Sequence, residues 1–202
     1  MVSIIIPYDI NRGWLDECIE SINAQTYKDI EIVEVHNPFS CSKNFNIGLN
    51  KAKGEFVKWV DEDDWIPETA VQDLVDGIKG HPWVCANAII SGTIKETYKP
   101  DLFKLNLKDM AINNVVHGGA TLYRTKLLRS IGGMDETLWT GEEYDMNMKL
   151  MSMGEMPGYI DKIVYFYRQH RKQKSNTLRW KDPVKRKQAI IKIRQRYENF
   201  ST

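Results

Sequence analysis

The sequence of 202 residues lacks the features of secreted, membrane-spanning and disordered chains. It has only three cysteines, Cys18, Cys41 and Cys85, which are far apart and show no CxxC spacing. We therefore expect neither a disulfide framework nor a zinc site, and a reducing, cytoplasmic location. No apolar run approaches the roughly 20 residues of a membrane-spanning helix, and the N-terminal segment does not have the pattern of a signal peptide. A charged fraction of 27% and a hydrophobic fraction of 42% predict an ordinary globular protein.

The charges are distributed unevenly along the chain. From Arg168 to Thr202 there are twelve Lys and Arg residues and two acidic residues, a net charge of +10, whereas residues 1–167 carry −9. A basic tail on an acidic body suggests that it binds something anionic, such as a phosphate ligand, an anionic membrane surface or a nucleic acid. Residues 183–200 have the pattern of a basic amphipathic helix, and a helix that is only solvated or packed on the body is an equally good interpretation.

The first half of the chain alternates between strand and helix patterns. Runs of β-branched residues predict strands over 2–6, 30–35, 56–60 and 83–90, with amphipathic helices between them. This alternation predicts a parallel sheet with helices on its faces. Ligands bind at the carboxyl edge of such a sheet. We therefore expect the residues that follow the first and third strands to share one crevice.

The second half is less regular. Its patterns predict strands over 117–124 and 160–167 and helices over 125–131 and 142–153. Pro67 is expected to open the helix that follows the third strand. We find no internal repeat, low-complexity segment or interdomain linker.

Four acidic residues, Asp61 to Asp64, directly follow the third predicted strand. Adjacent carboxylates repel one another, and a hard divalent cation relieves that repulsion. Mg²⁺ or Mn²⁺ takes one or two protein carboxylates and completes its shell with phosphate oxygens and water. A solvated acidic turn that caps the next helix is the alternative, but the position at the carboxyl end of a central strand favours a metal half-site.

Several segments, in this order and spacing, resemble the family 2 glycosyltransferases. They are SIIIP, CIESINAQTYKDIEIVEV, NIGLNKAKGEFVKWVDEDDW, GATLYRTKLLRSIGGMDETLWTGEEYDMNMKL and YRQHRKQKSN. The resemblance covers about residues 2–176. It implies a GT-A fold, a Rossmann-like, mostly parallel α/β sheet flanked by helices. We divide the chain into a glycosyltransferase domain at 1–176 and a basic C-terminal helical extension at 177–202.

The resemblance implies an inverting transfer of a sugar from a nucleotide-diphosphate sugar, with Mn²⁺ or Mg²⁺ as cofactor. The family's Asp-x-Asp signature falls on Asp61 and Asp63. Asp63 would bind the metal, Asp61 would approach the metal or the ribose, and His170 would lie near the metal and the diphosphate. The donor-binding residues implied in this way are Pro7, Asp9, Asn37, Asn46, Asp61, Glu62, Asp63, Arg168 and Lys172.

The family's Glu-Asp motif falls on Glu142-Glu143, where the second acid would be the general base. Glu143 is one methylene longer than the usual Asp, and Glu142 is the alternative base. Two acids in a first helical turn are also common for electrostatic reasons alone. The acceptor side would be formed by His117, Gly118, Gly119, Trp139 and Glu142. The acceptor itself stays open between a glycan, a lipid-linked sugar and a modified nucleic acid.

One departure from the family concerns the donor base. The segment from Val35 to Ser40 lacks the acid that usually reads the base, which leaves His36 and Asn37 as hydrogen-bonding groups and Asp9 as the nearest acid. A degenerate nucleotide-sugar-binding protein, or a nucleic-acid-binding protein without transferase activity, is therefore the alternative function. Through the basic tail, the protein would contact the inner membrane face or another polyanion.

Overall fold

The computed structural model describes residues 1–92, 96–173 and 182–197, in which one mixed sheet is flanked by helices. The seven strands are β1 (Val2–Tyr8), β2 (Ile30–His36), β3 (Phe56–Trp59), β4 (Trp83–Ser91), β5 (Glu96–Tyr98), β6 (Thr121–Arg124) and β7 (Gly158–Arg168). The helices are α1 (Leu15–Asn23), α2 (Cys41–Lys51), α3 (Ala70–Gly77), α4 (Leu107–Ile112), α5 (Thr125–Ser130), α6 (Glu142–Ser152) and α7 (Pro183–Tyr197).

The strand order is β2-β1-β3-β6-β4-β5, and β7 pairs with β4. The pairs β1–β2, β1–β3 and β4–β7 are parallel, whereas β6 runs antiparallel to both β3 and β4. Five strands therefore point the same way, and β5 and β6 point the other way. The predicted α/β class, a mostly parallel sheet flanked by helices, is confirmed.

Apolar side chains cover both faces of the sheet. One core cluster joins alternate strand residues to α1 and α3, and includes Ile4, Cys18 and Leu74. The other joins the opposite strand residues to α2, α6 and α7, and includes Phe45 and Ile193. Alternation along β1 explains this division, because Ile4 and its neighbour Ile5 point to opposite faces.

Two predicted boundaries are wrong. The strand predicted over 117–124 starts only at Thr121, because Gly118–Ala120 form a 3-10 turn. Pro67 does not open α3, which begins at Ala70 after Thr69. In both cases a turn specific to the tertiary structure replaces regular local geometry.

The C-terminal basic helix is described from Pro183 to Tyr197, and it packs against α4 and α6. The predicted end of this helix at residues 198–200, and the boundary placed between residues 176 and 177, lie outside the described residues. Within the described ranges, no helix combines the length and the apolar composition that a membrane span requires.

Candidate active site

A cavity of about 750 Å³ opens at the carboxyl ends of β1 and β3. Its lining includes residues predicted to hold the donor and the metal, here called the donor wall, namely Pro7, Asp9, Asp61, Glu62 and Asp63. It also includes the predicted acceptor and catalytic residues, here called the acceptor wall, namely His117, Gly118, Gly119, Trp139, Glu142 and Glu143. The topology accounts for this meeting, since parallel neighbours β1 and β3 end at the same edge.

Residues of β7 hold the loop Asp61 to Asp64, here called the acidic loop, in place. Asp64 is buried, and its carboxylate accepts hydrogen bonds from the Tyr165 hydroxyl at 2.6 Å and the Arg168 backbone N–H at 2.7 Å. Burial, together with the nearby charges of Asp61 and Asp63, raises the pKa of Asp64 well above its ordinary value. The Asp61 backbone N–H donates to the Tyr165 hydroxyl at 3.2 Å. Asp64 therefore holds the loop in place, while Asp61 and Asp63 line the cavity.

Arg12 links two of the acids predicted to bind the donor. Its guanidinium lies 2.7 Å from Glu62 and 3.1 Å from Asp9. Burial raises the pKa of Glu62, and the Arg12 charge acts against that shift. Sequence reasoning missed Arg12, because nothing in the loop after β1 shows that it reaches a carboxylate fifty residues away.

Asp63 and His170, two of the residues that the resemblance implies for the metal site, are in contact with each other. The His170 Nε2 atom lies 2.7 Å from Asp63 Oδ2, and the imidazole packs on Trp14 with ring centroids 4.5 Å apart. Carboxylates and an imidazole suit Mn²⁺, which completes its shell with phosphate oxygens and water. Across the described residues, no three His, Cys, Asp or Glu side chains are already gathered as a metal site. The donor set fits a half-site that a bound diphosphate would complete.

The pair Glu142-Glu143 begins α6 at the acceptor wall. Gly141 precedes it with φ of +77°, a left-handed conformation that glycine adopts without strain. The Glu143 side chain packs against Gly118, where an added Cβ would lie 2.9 Å from Glu143 Cγ. Gly119 is also required, because a Cβ there would collide with the Tyr165 ring. The two glycines therefore let α6 and β7 approach the base of the cavity.

His117 lines the cavity as a member of an aromatic cluster. Its ring centroid is 5.3 Å from those of Tyr165 and Tyr167 and 5.7 Å from that of Tyr98. Burial, reinforced by the Lys58 charge, lowers the pKa of His117 to about 4. His117 is therefore a neutral imidazole at physiological pH.

Sequence reasoning also missed Lys58, a buried lysine on β3. Its amine donates to the Gly119 carbonyl and lies 5.1 Å from the centroid of the Tyr165 ring. Burial lowers the pKa of Lys58 to about 7. The sequence does not single out this lysine, because it lies within a predicted strand and no adjacent residue indicates a functional site.

Four predicted donor contacts lie outside the cavity lining. Asn46 is directed away, since its amide bonds to both the N–H and the carbonyl of Met134. Asn37 is half-buried, and its backbone carbonyl accepts a hydrogen bond from the Asn44 side-chain amide. Lys172 is exposed. These placements correct the expectation for Asn46, whose side chain has a structural role in fastening a loop to α2.

Arg168 also differs from the expectation, because its side chain is committed to the protein. The guanidinium donates to the Asp63 carbonyl at 2.8 Å, pairs with Glu17, and lies over the rings of Trp14 and Trp65. Arg168 therefore stabilises the acidic loop through the Asp63 backbone, and it is not among the residues that line the cavity.

Sequence comparison agrees with this architecture. The family model described as glycosyl transferase family 2 matches residues 35–132. An uncharacterized glycosyltransferase of Rickettsia typhi is 25% identical over 213 aligned residues, covering 88% of this chain and 66% of the relative. Glycosyltransferase GlyA of Streptococcus pneumoniae is 24% identical, covering 83% of this chain and 30% of the relative. The predicted resemblance to the family 2 glycosyltransferases is confirmed. The chain spans about a third to two thirds of the length of these relatives.

Solved structures share the fold. S. aureus TarS in complex with UDP-GlcNAc matches with a TM-score of 0.72 at 19% identity, covering 85% of this chain and 59% of that one. The mannosyltransferase PcManGT from Pyrobaculum calidifontis, in complex with GDP-Man and Mn²⁺, matches with a TM-score of 0.62 at 18% identity, covering 82% and 56%. The GT-A fold predicted from the resemblance is thereby confirmed.

Proposed function

We propose that this chain transfers a sugar from a nucleotide-diphosphate sugar to an acceptor hydroxyl, with inversion and with a divalent metal. The observation that carries the proposal is that one cavity is lined both by Asp61 and Asp63 and by Glu142 and Glu143. An inverting transfer needs one general base and charge stabilisation for the leaving diphosphate, and no covalent enzyme intermediate. The two walls offer groups for both tasks.

Asp61 and Asp63 of the donor wall, together with His170, which contacts Asp63, are the residues that would hold Mn²⁺ or Mg²⁺. The metal would supply electrostatic stabilisation of the charge that accumulates on the diphosphate. The protein groups act by position, because Tyr165, Arg168 and Asp64 fix the loop that carries the two aspartates. Most of the rate enhancement would come from this positioning and from the electrostatics of the site.

On the acceptor wall, Glu143 is the proposed base. Glu143 is half-buried, whereas Glu142 is buried, with 5% of its surface exposed. A base must reach the proton of the acceptor hydroxyl, and the more accessible carboxylate is better placed to do so. Glu142 stays the alternative base.

Donors with different nucleoside bases are compatible with the fold. UDP-GlcNAc and GDP-Man are bound by the two solved relatives named above. In this chain the segment after β2 offers His36, stacked on Tyr8 with centroids 4.6 Å apart, in place of an acid. The cytoplasmic location stays a prediction from the cysteine content.

A thermal-shift screen tests the proposal before the acceptor is known. Uridine, guanosine, adenosine and cytidine diphosphates, and their sugars, are each added with Mn²⁺, with Mg²⁺ and with a chelator. A ligand that binds only the folded state raises the melting temperature in proportion to its saturation. We expect the diphosphate and the sugars of one nucleoside to raise the melting temperature, and to do so only when Mn²⁺ or Mg²⁺ is also present. If no nucleotide shifts the melting temperature under any condition, the proposal is wrong.

A further inference from the structure

The C-terminal helix α7 contributes one row of side chains to the cavity. Arg186, Ile190 and Arg194 all line it. They are four residues apart, so they lie on one face of the helix, and the two arginines are separated by about 12 Å along its axis. The basic tail therefore does not only face outward, since two of its cations enter the candidate active site.

Packing fixes the rotation of α7. Ile193 and Tyr197 are buried against the body, and Arg196 lies 2.9 Å from both Asp135 and Asp145. The side chains of Ile190 and Ile193 lie so close to Gly141 that a Cβ there would approach them within 2.8 Å and 2.9 Å. Because these contacts hold the neighbouring faces of the helix, Arg186 and Arg194 are directed at the cavity by the fold.

Neither of these arginines is neutralised by the residues that the structure describes. The ion pairs of α7 to described carboxylates are those of Arg196, and none involves Arg186 or Arg194. In addition, Arg194 Nε is buried without a hydrogen-bond partner. A buried donor in this state is unusual and needs an acceptor. The arginines of the donor side, Arg12 and Arg168, are in contrast already paired with carboxylates.

The row lies beside the acceptor wall. Lys185 lies 5.5 Å from the centroid of the Trp139 ring. The side chain of Tyr144, which directly follows Glu143, forms a hydrogen bond with Arg194. The acidic loop that would hold the metal and diphosphate lines the same cavity. An anion bound by Arg186 and Arg194 would therefore accompany the hydroxyl that is presented to Glu143.

We propose that the acceptor carries a phosphate group, and that Arg186 and Arg194 bind it. A planar guanidinium donates two parallel hydrogen bonds to a phosphate, and such charge-assisted bonds are stronger than neutral ones. The word acceptor rests on the function proposed above, whereas the anion site rests on α7 alone. The phosphate belongs either to a soluble sugar phosphate or to a lipid headgroup, which share the same chemistry.

The test compares two double variants of α7 that lose the same charge. R186Q/R194Q removes the two cavity arginines, whereas K187Q/K192Q removes two exposed lysines of the same helix. Glucose 6-phosphate, with glucose as the neutral control, is titrated calorimetrically in the presence of the nucleoside diphosphate and metal that the thermal-shift screen selects. Flotation with phosphatidylcholine vesicles, with and without phosphatidic acid, tests the lipid source.

We expect the wild type to bind glucose 6-phosphate or the phosphatidic acid vesicles, and not glucose or neutral vesicles. Binding of that probe should weaken at least about tenfold in R186Q/R194Q, because two charge-assisted contacts are lost. It should change less than about twofold in K187Q/K192Q. R186K/R194K should recover part of the affinity, which separates charge from folding, and melting temperatures verify that each variant is folded.

Three results would overturn the inference: neither phosphate probe binds the wild type, the two double variants lose affinity equally, or R186Q/R194Q weakens nucleoside diphosphate binding as strongly as probe binding. The last result would assign the arginines to the donor. Failure of the proposed function is seen separately. In that case no nucleotide stabilises the protein, and glucose 6-phosphate, titrated alone, still reports on the arginines.

Discussion

At the scale of single residues, the two acids at the start of α6 differ in accessibility more than in chemistry. Glu142 is buried and Glu143 is half-buried, and both line the cavity. A shared sequence position in a first helical turn does not separate them, since the helix dipole favours acids at both places. The two differ in their surroundings, because the Glu143 side chain packs against Gly118, one of the predicted acceptor residues.

The substitution Glu143→Gln removes the proposed base without changing the size of the side chain. We expect sugar transfer to fall by about a hundredfold or more, because a positioned general base contributes at least that factor. Binding of the nucleoside diphosphate should stay within about twofold of the wild type. NMR of nucleotide-sugar turnover and calorimetry of donor binding measure the two quantities. Glu142→Gln is the matched control and should reduce transfer less; equal loss of binding and transfer in Glu143→Gln would make Glu143 a structural residue.

The low pKa of His117 gives the protein a defined response to acid. Its pKa is about 4 in the folded protein and about 6.5 when exposed. Between these values the unfolded chain takes up a proton that the folded protein resists, so stability falls as the pH drops from 6.5 to 4. The contribution amounts to about 3 kcal/mol over the whole window.

The substitution His117→Phe should remove this part of the pH dependence. Urea unfolding of both proteins between pH 4 and 7.5 gives the difference in unfolding free energy. We expect that difference to shift in favour of the variant as the pH falls. Asp64, whose raised pKa acts in the opposite direction, is present in both proteins and cancels in the comparison. His36→Phe, which replaces an exposed histidine, is the control. A pH-independent difference between wild type and His117→Phe would contradict the assignment.

Residue patterns predicted the acidic loop and missed its supports. Asp61 to Asp64 stand out because four acids follow one strand pattern, and the resemblance pointed to His170. Arg12 and Lys58 reach the same site through contacts across 50 and 61 positions of the chain. Such contacts leave no periodic signal, so composition and spacing alone could not find them.

At the scale of elements, α7 shows what an amphipathic pattern can and cannot tell. The helix was predicted from its basic composition and apolar spacing, and it is described over Pro183–Tyr197. Its partner was left open between the body, a membrane and a nucleic acid. Ile193 and Tyr197 are buried against the body, and the face that lines the cavity carries Arg186 and Arg194. The spacing of apolar residues predicts which residues share a face of the helix. Only the tertiary structure shows what packs against that face.

Arg196 connects α7 to the body of the protein, because it bridges Asp135 and Asp145. Asp145 has 4% of its surface exposed, and burial raises its pKa against the effect of the Arg196 charge. Arg196→Met leaves this carboxylate without the guanidinium. We expect a loss of about 1–2 kcal/mol in unfolding free energy, less than for a fully buried pair because Arg196 is partly exposed.

Urea unfolding measures this loss, with Lys192→Met as a control on the exposed face of the same helix. The double variant Arg196→Met/Asp145→Asn should recover part of the stability, because the buried charge is then removed together with its partner. Equal stability of the wild type and Arg196→Met would show that the pair does not fasten α7.

At the scale of the whole molecule, the sheet order brings distant segments to one cavity. β1 and β3 are neighbours and end beside each other, while α6 begins at the same cavity, about eighty residues after the acidic loop. The alternation of strands and helices predicted the parallel half of the sheet. It did not predict the antiparallel insertion of β6 between β3 and β4, because that pairing follows no local sequence rule.

The central claim is that Asp63 holds a metal against a diphosphate in this cavity. Calorimetric titration of the nucleoside diphosphate selected by the screen, into wild type, Asp63→Asn and Glu143→Gln with and without Mn²⁺, tests it most directly. We expect metal-dependent binding to the wild type and to Glu143→Gln, and a loss of at least about tenfold in Asp63→Asn. Binding of equal strength without metal, or unchanged binding to Asp63→Asn, would contradict the claim.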